Sequence, residues 1–150
     1  MKVESRNALL ALVGNPNSGK TSVFNRLTGL NQKTGNFPGI TVEKKYAQIQ
    51  FEDRQYEIVD LPGTYSLFPT SEEERVVVEQ LLGAGGFEIP VGIIYVADTT
   101  QFEKHLLLFT QILDLGIPSI LVCNMQDEAE KKTISLDTLR LKKKLGVPVV

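Results

Sequence analysis

The chain has 150 residues, of which 42% are hydrophobic and 23% charged, and its formal net charge is −2. This composition is typical of one soluble globular domain with an apolar core. The mild acidity argues against nucleic-acid binding, which needs a strongly basic face. The longest apolar run, 89–97, contains Pro90 and Gly92 and is far shorter than the ~18 residues of a membrane-spanning helix.

Strands and helices are predicted to alternate along the chain. The predicted strands are 8–13, 42–51, 55–60, 91–97, 118–123 and 147–150, the helices are 20–28, 72–82, 101–114 and 135–145, and 29–41 and 60–71 are expected to be mobile loops. This order indicates an α/β fold, in which helices cover both faces of a mostly parallel sheet of six strands. A hairpin makes one edge antiparallel. Functional side chains should gather at the carboxyl ends of the strands.

A phosphate-binding motif lies between the first predicted strand and the first predicted helix. The pattern G-x-x-x-x-G-K-[ST] is matched by Gly14, Asn15, Pro16, Asn17, Ser18, Gly19, Lys20 and Thr21. Backbone N–H groups of such a loop and of the next residue, Ser22, surround a β-phosphate at a helix N-terminus. Lys20 would reach the β- and γ-phosphates, and the Thr21 hydroxyl would bind Mg²⁺. The sequence therefore predicts a nucleotide-binding domain of the P-loop NTPase fold.

A second motif, D-x-x-G, follows the predicted strand 55–60 and consists of Asp60, Leu61, Pro62 and Gly63. A carboxylate at the tip of a strand beside the P-loop can hold a Mg²⁺-bound water. The Gly63 N–H would meet the γ-phosphate. A plain Pro-Gly turn is the alternative interpretation, but the upstream P-loop favours the nucleotide role.

Guanine selection is predicted from Asn124, Met125 and Asp127, which follow the apolar run 120–123. The Asp127 carboxylate can accept hydrogen bonds from the N1–H and the exocyclic amine of guanine, a donor pair that adenine lacks. Asn124 would tie this loop to the P-loop, and the Met125 side chain would pack beside the base. The alternative, that Asp127 caps a helix, is compatible with this role.

The stretch 35–42 is rich in Gly, Pro and Asn and contains Gly39, Ile40 and Thr41. It reads as a loop that contacts the nucleotide. Thr41 can close onto Mg²⁺ when the γ-phosphate is present and let go after hydrolysis, which would be an order–disorder switch. Its position between the P-loop helix and the D-x-x-G strand is what distinguishes it from an ordinary loop threonine.

Four stretches, GNPNSGKT, GNFPGITVEKK, DLPGTYSL and NMQDEAEKK, together closely resemble the G domain of the ferrous iron transport protein B (FeoB) family. The resemblance implies a GTP-binding and GTP-hydrolysing domain on the cytoplasmic side of a bacterial inner membrane. It also implies a helical spacer, a transmembrane Fe²⁺ pathway and possible homo-oligomers. We expect residues 1–150 to be a single G domain that lacks the spacer and the membrane domain and stops just before the last guanine-contacting loop.

Two features bear on hydrolysis. Ras-like switches carry a Gln directly after D-x-x-G to orient the attacking water, whereas this chain has Thr64, so we expect slow turnover and water orientation by backbone groups of the switch loops. The resemblance implies that Asn17 helps to hold K⁺, which would act like an arginine finger. An Asx turn is the alternative role for Asn17. The predicted catalytic set is Lys20, Thr41, Gly63 and Asn17.

Two rival functions remain open from the sequence. A ribosome- or tRNA-associated GTPase shares the Asn of the P-loop, but the chain shows no basic patch. A guanine-nucleotide sensor that does not hydrolyse GTP would fit the missing Gln. The sequence has one Cys, one His and two Met, too few and too scattered for an iron site. Cys123 is expected in the core and His105 on an exposed helix face.

Overall fold

The computed structural model describes residues 7–150. The strands are β1 (Ala8–Gly14), β2 (Lys33–Asn36), β3 (Glu43–Phe51), β4 (Arg54–Asp60), β5 (Gly92–Asp98) and β6 (Ser119–Asn124). The helices are α1 (Lys20–Thr28), α2 (Glu72–Leu82), α3 (Phe102–Leu113), α4 (Gln126–Lys131) and α5 (Thr138–Leu145), and a 3-10 turn spans Thr99–Gln101.

The strands form one six-stranded sheet in the order β2-β3-β4-β1-β5-β6. Strands β4, β1, β5 and β6 are parallel, while β3 is antiparallel to both β4 and β2. The predicted α/β fold with a mostly parallel sheet and an antiparallel edge is confirmed. Because β1 is central, the loop that follows it leaves the sheet between the carboxyl ends of its parallel neighbours.

Two strand assignments from the sequence are wrong. The predicted loop 29–41 contains β2, whose four residues are all exposed and pair antiparallel with β3. The sequence of β2 is hydrophilic and shows no alternation of apolar and polar residues. This strand forms through backbone pairing with β3 and not through burial of its side chains. Residues 147–150 make only an isolated parallel bridge, Val149 to Leu121, which does not extend into a strand.

Two of the helical regions differ from the prediction. The predicted helices omit 126–131, where the structure has α4; the helix considered after Asp127 therefore exists but begins at Gln126. The last helix begins at Thr138, three residues later than predicted, because the Asp137 side chain accepts the Arg140 N–H and caps it. No residue of α5 is buried, and Leu139 is 78% exposed. Leu145 is partly buried and packs against the core, so this helix contacts the core through its last turn.

Helices and loops cover both faces of the sheet. One buried cluster includes Tyr95, Phe109 and Cys123, and the other includes Leu12, Phe24 and Ile58. Cys123 lies in the core as predicted. In α1 the buried residues are Lys20, Phe24 and Thr28, whereas Leu27 is 45% exposed.

Within the described residues 7–150, no helix is long and apolar enough to span a bilayer.

Candidate functional site

The P-loop connects β1 to α1 and bends sharply at two positions. Asn17 and Gly19 adopt positive φ values of 63° and 82°, and the Ser18 N–H donates to the Asn15 carbonyl at 3.2 Å. A side chain at Gly19 would collide with Asn124, so the glycine is required by both its backbone and its neighbour. The loop lines a cavity of about 490 Å³ whose wall consists of residues 15–22 with Pro62, Gly63 and Glu73.

The Lys20 ammonium pairs with the Asp60 carboxylate in this structure. Lys20 stands in the first turn of α1 and Asp60 at the end of β4. Both residues are at least nine-tenths buried. A buried charge is stable only when it is paired, so each side chain compensates the other. The two residues predicted for the phosphates and for the Mg²⁺-bound water are therefore next to each other.

The D-x-x-G segment packs directly on the P-loop. The Leu61 N–H donates to the Leu12 carbonyl at 3.1 Å, and the Thr64 N–H donates to the Gly14 carbonyl at 3.2 Å. A Cβ at Gly63 would lie 3.0 Å from the Pro16 backbone, so a side chain here would push the two loops apart by a few tenths of an ångström. Thr64 is buried, and its hydroxyl donates to the Ser66 carbonyl at 2.9 Å. That hydroxyl is therefore engaged within its own loop.

Thr41 lines a second cavity of about 330 Å³ together with Asp60, Leu61, Pro62 and Glu73. Pro62 and Glu73 also line the P-loop cavity, so the two cavities are adjacent. Thr41 is exposed at the end of the segment between β2 and β3. Gly39 and Ile40 precede it, and the Ile40 N–H donates to the Phe37 carbonyl at 3.3 Å. The predicted switch threonine thus lies on the Asp60 side of the site.

The predicted guanine loop follows β6 and reaches the P-loop. The Asn124 amide donates to the Ser18 carbonyl at 3.0 Å, which is the tie predicted for Asn124. Met125 has a positive φ of 60° and precedes α4 as its N-cap residue, so the helix-capping role considered for Asp127 is wrong. Asp127 instead stands in the first turn of α4, where it is exposed.

Three residues near the site lie outside the predicted set. Glu73, in the first turn of α2, lines both cavities. Thr99 and Gln126 hydrogen-bond to each other beside the guanine loop. The motif patterns leave these positions open, so only the three-dimensional arrangement reveals them.

A buried polar group lies beneath the P-loop. The Tyr95 hydroxyl donates to the His105 carbonyl at 2.6 Å and lies 3.2 Å from Asn15 Oδ1. Burial raises the pKa of Tyr95 far above its usual range. A tyrosine in a strand covered on both faces must find a hydrogen-bond partner. The tyrosine in this apolar strand could therefore have indicated a buried hydrogen bond from the sequence alone.

His105 is 3% exposed, so its expected position on an open helix face is wrong. Its Nδ1 accepts the Asp98 N–H at 3.1 Å, and this contact binds α3 to the end of β5. Burial lowers the pKa of His105 below its usual value, and Lys104 acts in the same direction, while the Asp98 carboxylate opposes the shift. The imidazole is therefore held in its neutral form.

A larger cavity of about 870 Å³ lies beside α5 and is lined by residues such as Leu139, Arg140 and Val147. It contains none of the predicted site residues. The candidate site is therefore the pair of smaller cavities at the carboxyl edge of the sheet, where the P-loop, the D-x-x-G segment and the guanine loop meet.

Comparison with known proteins shows the family to which this chain belongs. The family model described as ferrous iron transport protein B matches residues 8–150. The Fe(2+) transporter FeoB of Leptospira biflexa is 48% identical over 139 residues, which are 93% of this chain and 20% of the relative. The FeoB of Salmonella typhimurium is 45% identical over 145 residues, 94% of this chain and 18% of the relative. The chain thus spans about a fifth of the length of these relatives.

Solved structures show the same fold. The cytosolic domain of L. pneumophila FeoB superposes with a TM-score of 0.89 at 41% identity, covering 95% of this chain and 55% of that one. A GDP-bound variant of the S. thermophilus FeoB G domain gives a TM-score of 0.85 at 44% identity, covering 95% and 53%. The chain therefore belongs to the ferrous iron transport protein B family, and its fold is that of the family's G domain.

Proposed function

We propose that this chain is a GTP-binding and GTP-hydrolysing switch that regulates ferrous iron transport through an attached membrane domain. The observation that carries the proposal is the convergence of Lys20, Asp60 and Asn124, from three separate motifs, on one P-loop. Family membership adds support, since a relative's G domain is described as GDP-bound.

The phosphates would bind in the P-loop cavity. Its N–H groups, including those of Gly19 and Ser22, would surround the β-phosphate at the start of α1. Lys20 would exchange its partner Asp60 for the β- and γ-phosphates, and the Gly63 N–H would contact the γ-phosphate. Because Gly63 packs on Pro16, a change at the γ-phosphate would reach the D-x-x-G segment directly.

The residues at this edge suit Mg²⁺, which prefers oxygen ligands and usually takes only one or two from protein side chains. The Thr21 hydroxyl and, in the GTP state, the Thr41 hydroxyl would hold the ion, while Asp60 would accept a hydrogen bond from a bound water. When bound, Mg²⁺ neutralises negative charge on the phosphates. Release of Asp60 from Lys20 would make its carboxylate available for this role.

The base would lie beside the guanine loop. The Asp127 carboxylate would accept two hydrogen bonds from guanine, and the Met125 side chain would cover one face of the ring. The Asn124 amide holds this loop to the Ser18 carbonyl at 3.0 Å, which supports a fixed distance between the base site and the phosphate site.

Hydrolysis of GTP would be slow. The residue directly after D-x-x-G would not supply a side chain that orients the attacking water. The Thr64 hydroxyl is engaged with the Ser66 carbonyl, so backbone groups of the switch loops would orient the attacking water. K⁺ held by Asn17 would neutralise charge that develops in the transition state. Asn17 is exposed at the P-loop cavity, which supports this role.

The remaining parts of the proposal come from family membership. The chain covers about a fifth of its curated relatives, so the Fe²⁺ pathway would lie in other parts of a longer bacterial inner-membrane protein. In that protein a helical spacer would join this domain to the membrane, and the domain would face the cytoplasm. The final guanine-contacting loop would follow Val150, and homo-oligomers would be possible.

Equilibrium binding of GDP and ADP in the presence of Mg²⁺ tests the proposal. We expect GDP to bind at least about tenfold more tightly, because an unpaired Asp127 carboxylate opposes adenine. Lys20→Ala should abolish binding of both nucleotides, while Lys33→Ala on the exposed strand β2 should bind like the unchanged protein. Equal affinities for GDP and ADP would contradict the proposed function.

A sensor that binds GTP without hydrolysing it is the second candidate, and the engaged Thr64 hydroxyl favours it. Single-turnover hydrolysis of GTP, with Lys20→Ala as the blank, separates the two functions. A rate above the blank supports the switch, and a rate equal to the blank supports the sensor.

A further inference from the structure

Two side chains fasten the guanine loop to the end of β5. The Thr99 hydroxyl donates to the Asn124 carbonyl at 2.6 Å and accepts from the Gln126 amide at 3.0 Å. The same Gln126 nitrogen donates to the Cys123 carbonyl at 3.0 Å. Thr99 is 1% exposed, so its hydroxyl is a buried group with both an acceptor and a donor. We call Thr99 and Gln126 the clasp.

The clasp brackets the most constrained residue of the loop. Met125 has a φ of 60°. Residues other than glycine rarely adopt this left-handed backbone conformation, because it costs free energy. Such a conformation persists only where the surroundings hold it. The clasp grips the chain on both sides, at the Asn124 carbonyl before Met125 and at the Gln126 side chain after it.

The position of Asp127 depends on this grip. Asp127 is the residue after Gln126 and is exposed in the first turn of α4, a helix of only six residues. The Asn124 amide secures the loop to the P-loop, but that bond lies on the far side of Met125. On the Asp127 side of Met125 the loop is held by the clasp and by the Ala129 N–H, which donates to the Met125 carbonyl at 3.0 Å.

We propose that Thr99 and Gln126 are positioning residues for base selection: they hold the Met125 turn so that the Asp127 carboxylate faces both hydrogen-bond donors of guanine. This inference rests on the proposed guanine-nucleotide function. Neither side chain needs to touch the nucleotide. The clasp acts on the base end of the site, whereas Lys20 and the P-loop act on the phosphate end.

The test compares GDP with inosine diphosphate, which lacks the exocyclic amine. In the unchanged protein one extra hydrogen bond to a carboxylate should favour GDP by about tenfold or more. Thr99→Val keeps the shape of the side chain but removes the hydroxyl. We expect it to lower the ratio of the two affinities by about three- to tenfold, since a misdirected carboxylate serves one donor poorly.

Gln126→Leu removes the outer half of the clasp at an exposed position and should lower the ratio in the same direction. Its effect should not add to that of Thr99→Val, because both act through the same contact. If Thr99→Val fails to fold, Gln126→Leu alone decides the question. Thr110→Val, on the exposed face of α3, is the matched control and should keep the GDP preference.

The outcomes separate the two proposals. If the unchanged protein does not prefer GDP to ADP, the proposed function itself fails. If it does, but both clasp variants keep the full preference for GDP over inosine diphosphate, the inference is overturned. A parallel loss of affinity for both nucleotides, with an unchanged ratio, would also overturn it, because it would show a structural role only.

Discussion

At the scale of single residues, Ser18 presents an unusual polar atom. Its hydroxyl is buried and has no hydrogen-bond partner among residues 7–150, although its carbonyl accepts the Asn124 amide. A buried hydroxyl without a partner costs about 1–3 kcal/mol of free energy. The Ser18 hydroxyl therefore lowers the stability of the P-loop, whereas the Ser18 carbonyl makes the contact with Asn124.

Ser18→Ala removes this hydroxyl and leaves the carbonyl in place. We expect the free energy of unfolding to remain unchanged or to rise by about 1 kcal/mol, measured by urea titration of the nucleotide-free protein. Ser119→Ala is the matched control, because the Ser119 hydroxyl donates to the Ile117 carbonyl at 2.9 Å. The control should lose about 1 kcal/mol. A similar loss in Ser18→Ala would contradict the prediction.

Asn17 should determine whether K⁺ stimulates GTP hydrolysis. If its amide oxygen helps to hold K⁺ against the phosphates, replacing Na⁺ by K⁺ should raise GTP turnover several-fold, since the cation stabilises the transition-state charge. Steady-state phosphate release measures this effect. Asn17→Ala should show equal rates in both salts, while Asn31→Ala at an exposed site outside the P-loop should keep the stimulation. Retained stimulation in Asn17→Ala would exclude the role.

At the scale of elements, α3 supports the segment that follows D-x-x-G. The Gln111 side chain accepts the Leu67 N–H at 2.8 Å, and the Lys104 ammonium lies 5.3 Å from the centre of the Tyr65 ring. The same helix is bound to the P-loop side of the molecule through the Tyr95 hydroxyl and the His105 carbonyl. Helix α3 therefore contacts the segment 60–71 directly and is linked to the P-loop residue Asn15 through the Tyr95 hydroxyl.

Gln111→Leu removes the acceptor of the Leu67 N–H and should release this segment from α3. We expect the amide exchange rate of Leu67 to rise by about fivefold, which corresponds to the loss of one hydrogen bond. Hydrogen exchange followed by NMR gives the rate at that residue. Gln101→Leu, at an exposed position before α3, should leave the rate unchanged. An unaltered rate in Gln111→Leu would show that other contacts hold the segment.

Burial largely decides which elements the sequence predicts. Strands β1, β5 and β6 are apolar runs, and the sequence pattern located each within one or two residues. Strand β2 has four exposed residues and forms through backbone pairing, so no pattern of apolar side chains predicts it. Short α4 follows a left-handed Met125, a turn that propensities do not predict for methionine.

At the scale of the whole molecule, the sequence predicts the motif residues of the candidate site better than the residues that hold those motifs in place. Lys20, Asp60 and Asn124 belong to motifs with fixed spacing, and the fold brings them together as expected. Thr99 and Gln126 act through contacts between residues distant in the chain, such as Thr99 with Asn124. Local sequence carries no record of such partners.

The single histidine of the chain makes the stability of the whole domain dependent on pH. His105 is 3% exposed, and its Nδ1 accepts the Asp98 N–H, an arrangement that protonation would break. Burial lowers the pKa of His105 from 6.5; Lys104 adds to this shift and the Asp98 carboxylate opposes it. No other side-chain type has its ordinary pKa between about 5 and 8.

The sign of the effect follows from linkage. Above about pH 6.5 His105 is neutral in both states, so its contribution to stability is fully present. Below that pH the unfolded chain takes up a proton that the folded chain resists. The free energy of unfolding should therefore fall, by up to about 1.4 kcal/mol per pH unit. Urea titrations at pH 7.5, 6.5 and 5.5 measure this fall. His105→Asn keeps an acceptor but cannot titrate, so its profile should be flatter; identical profiles would contradict the prediction.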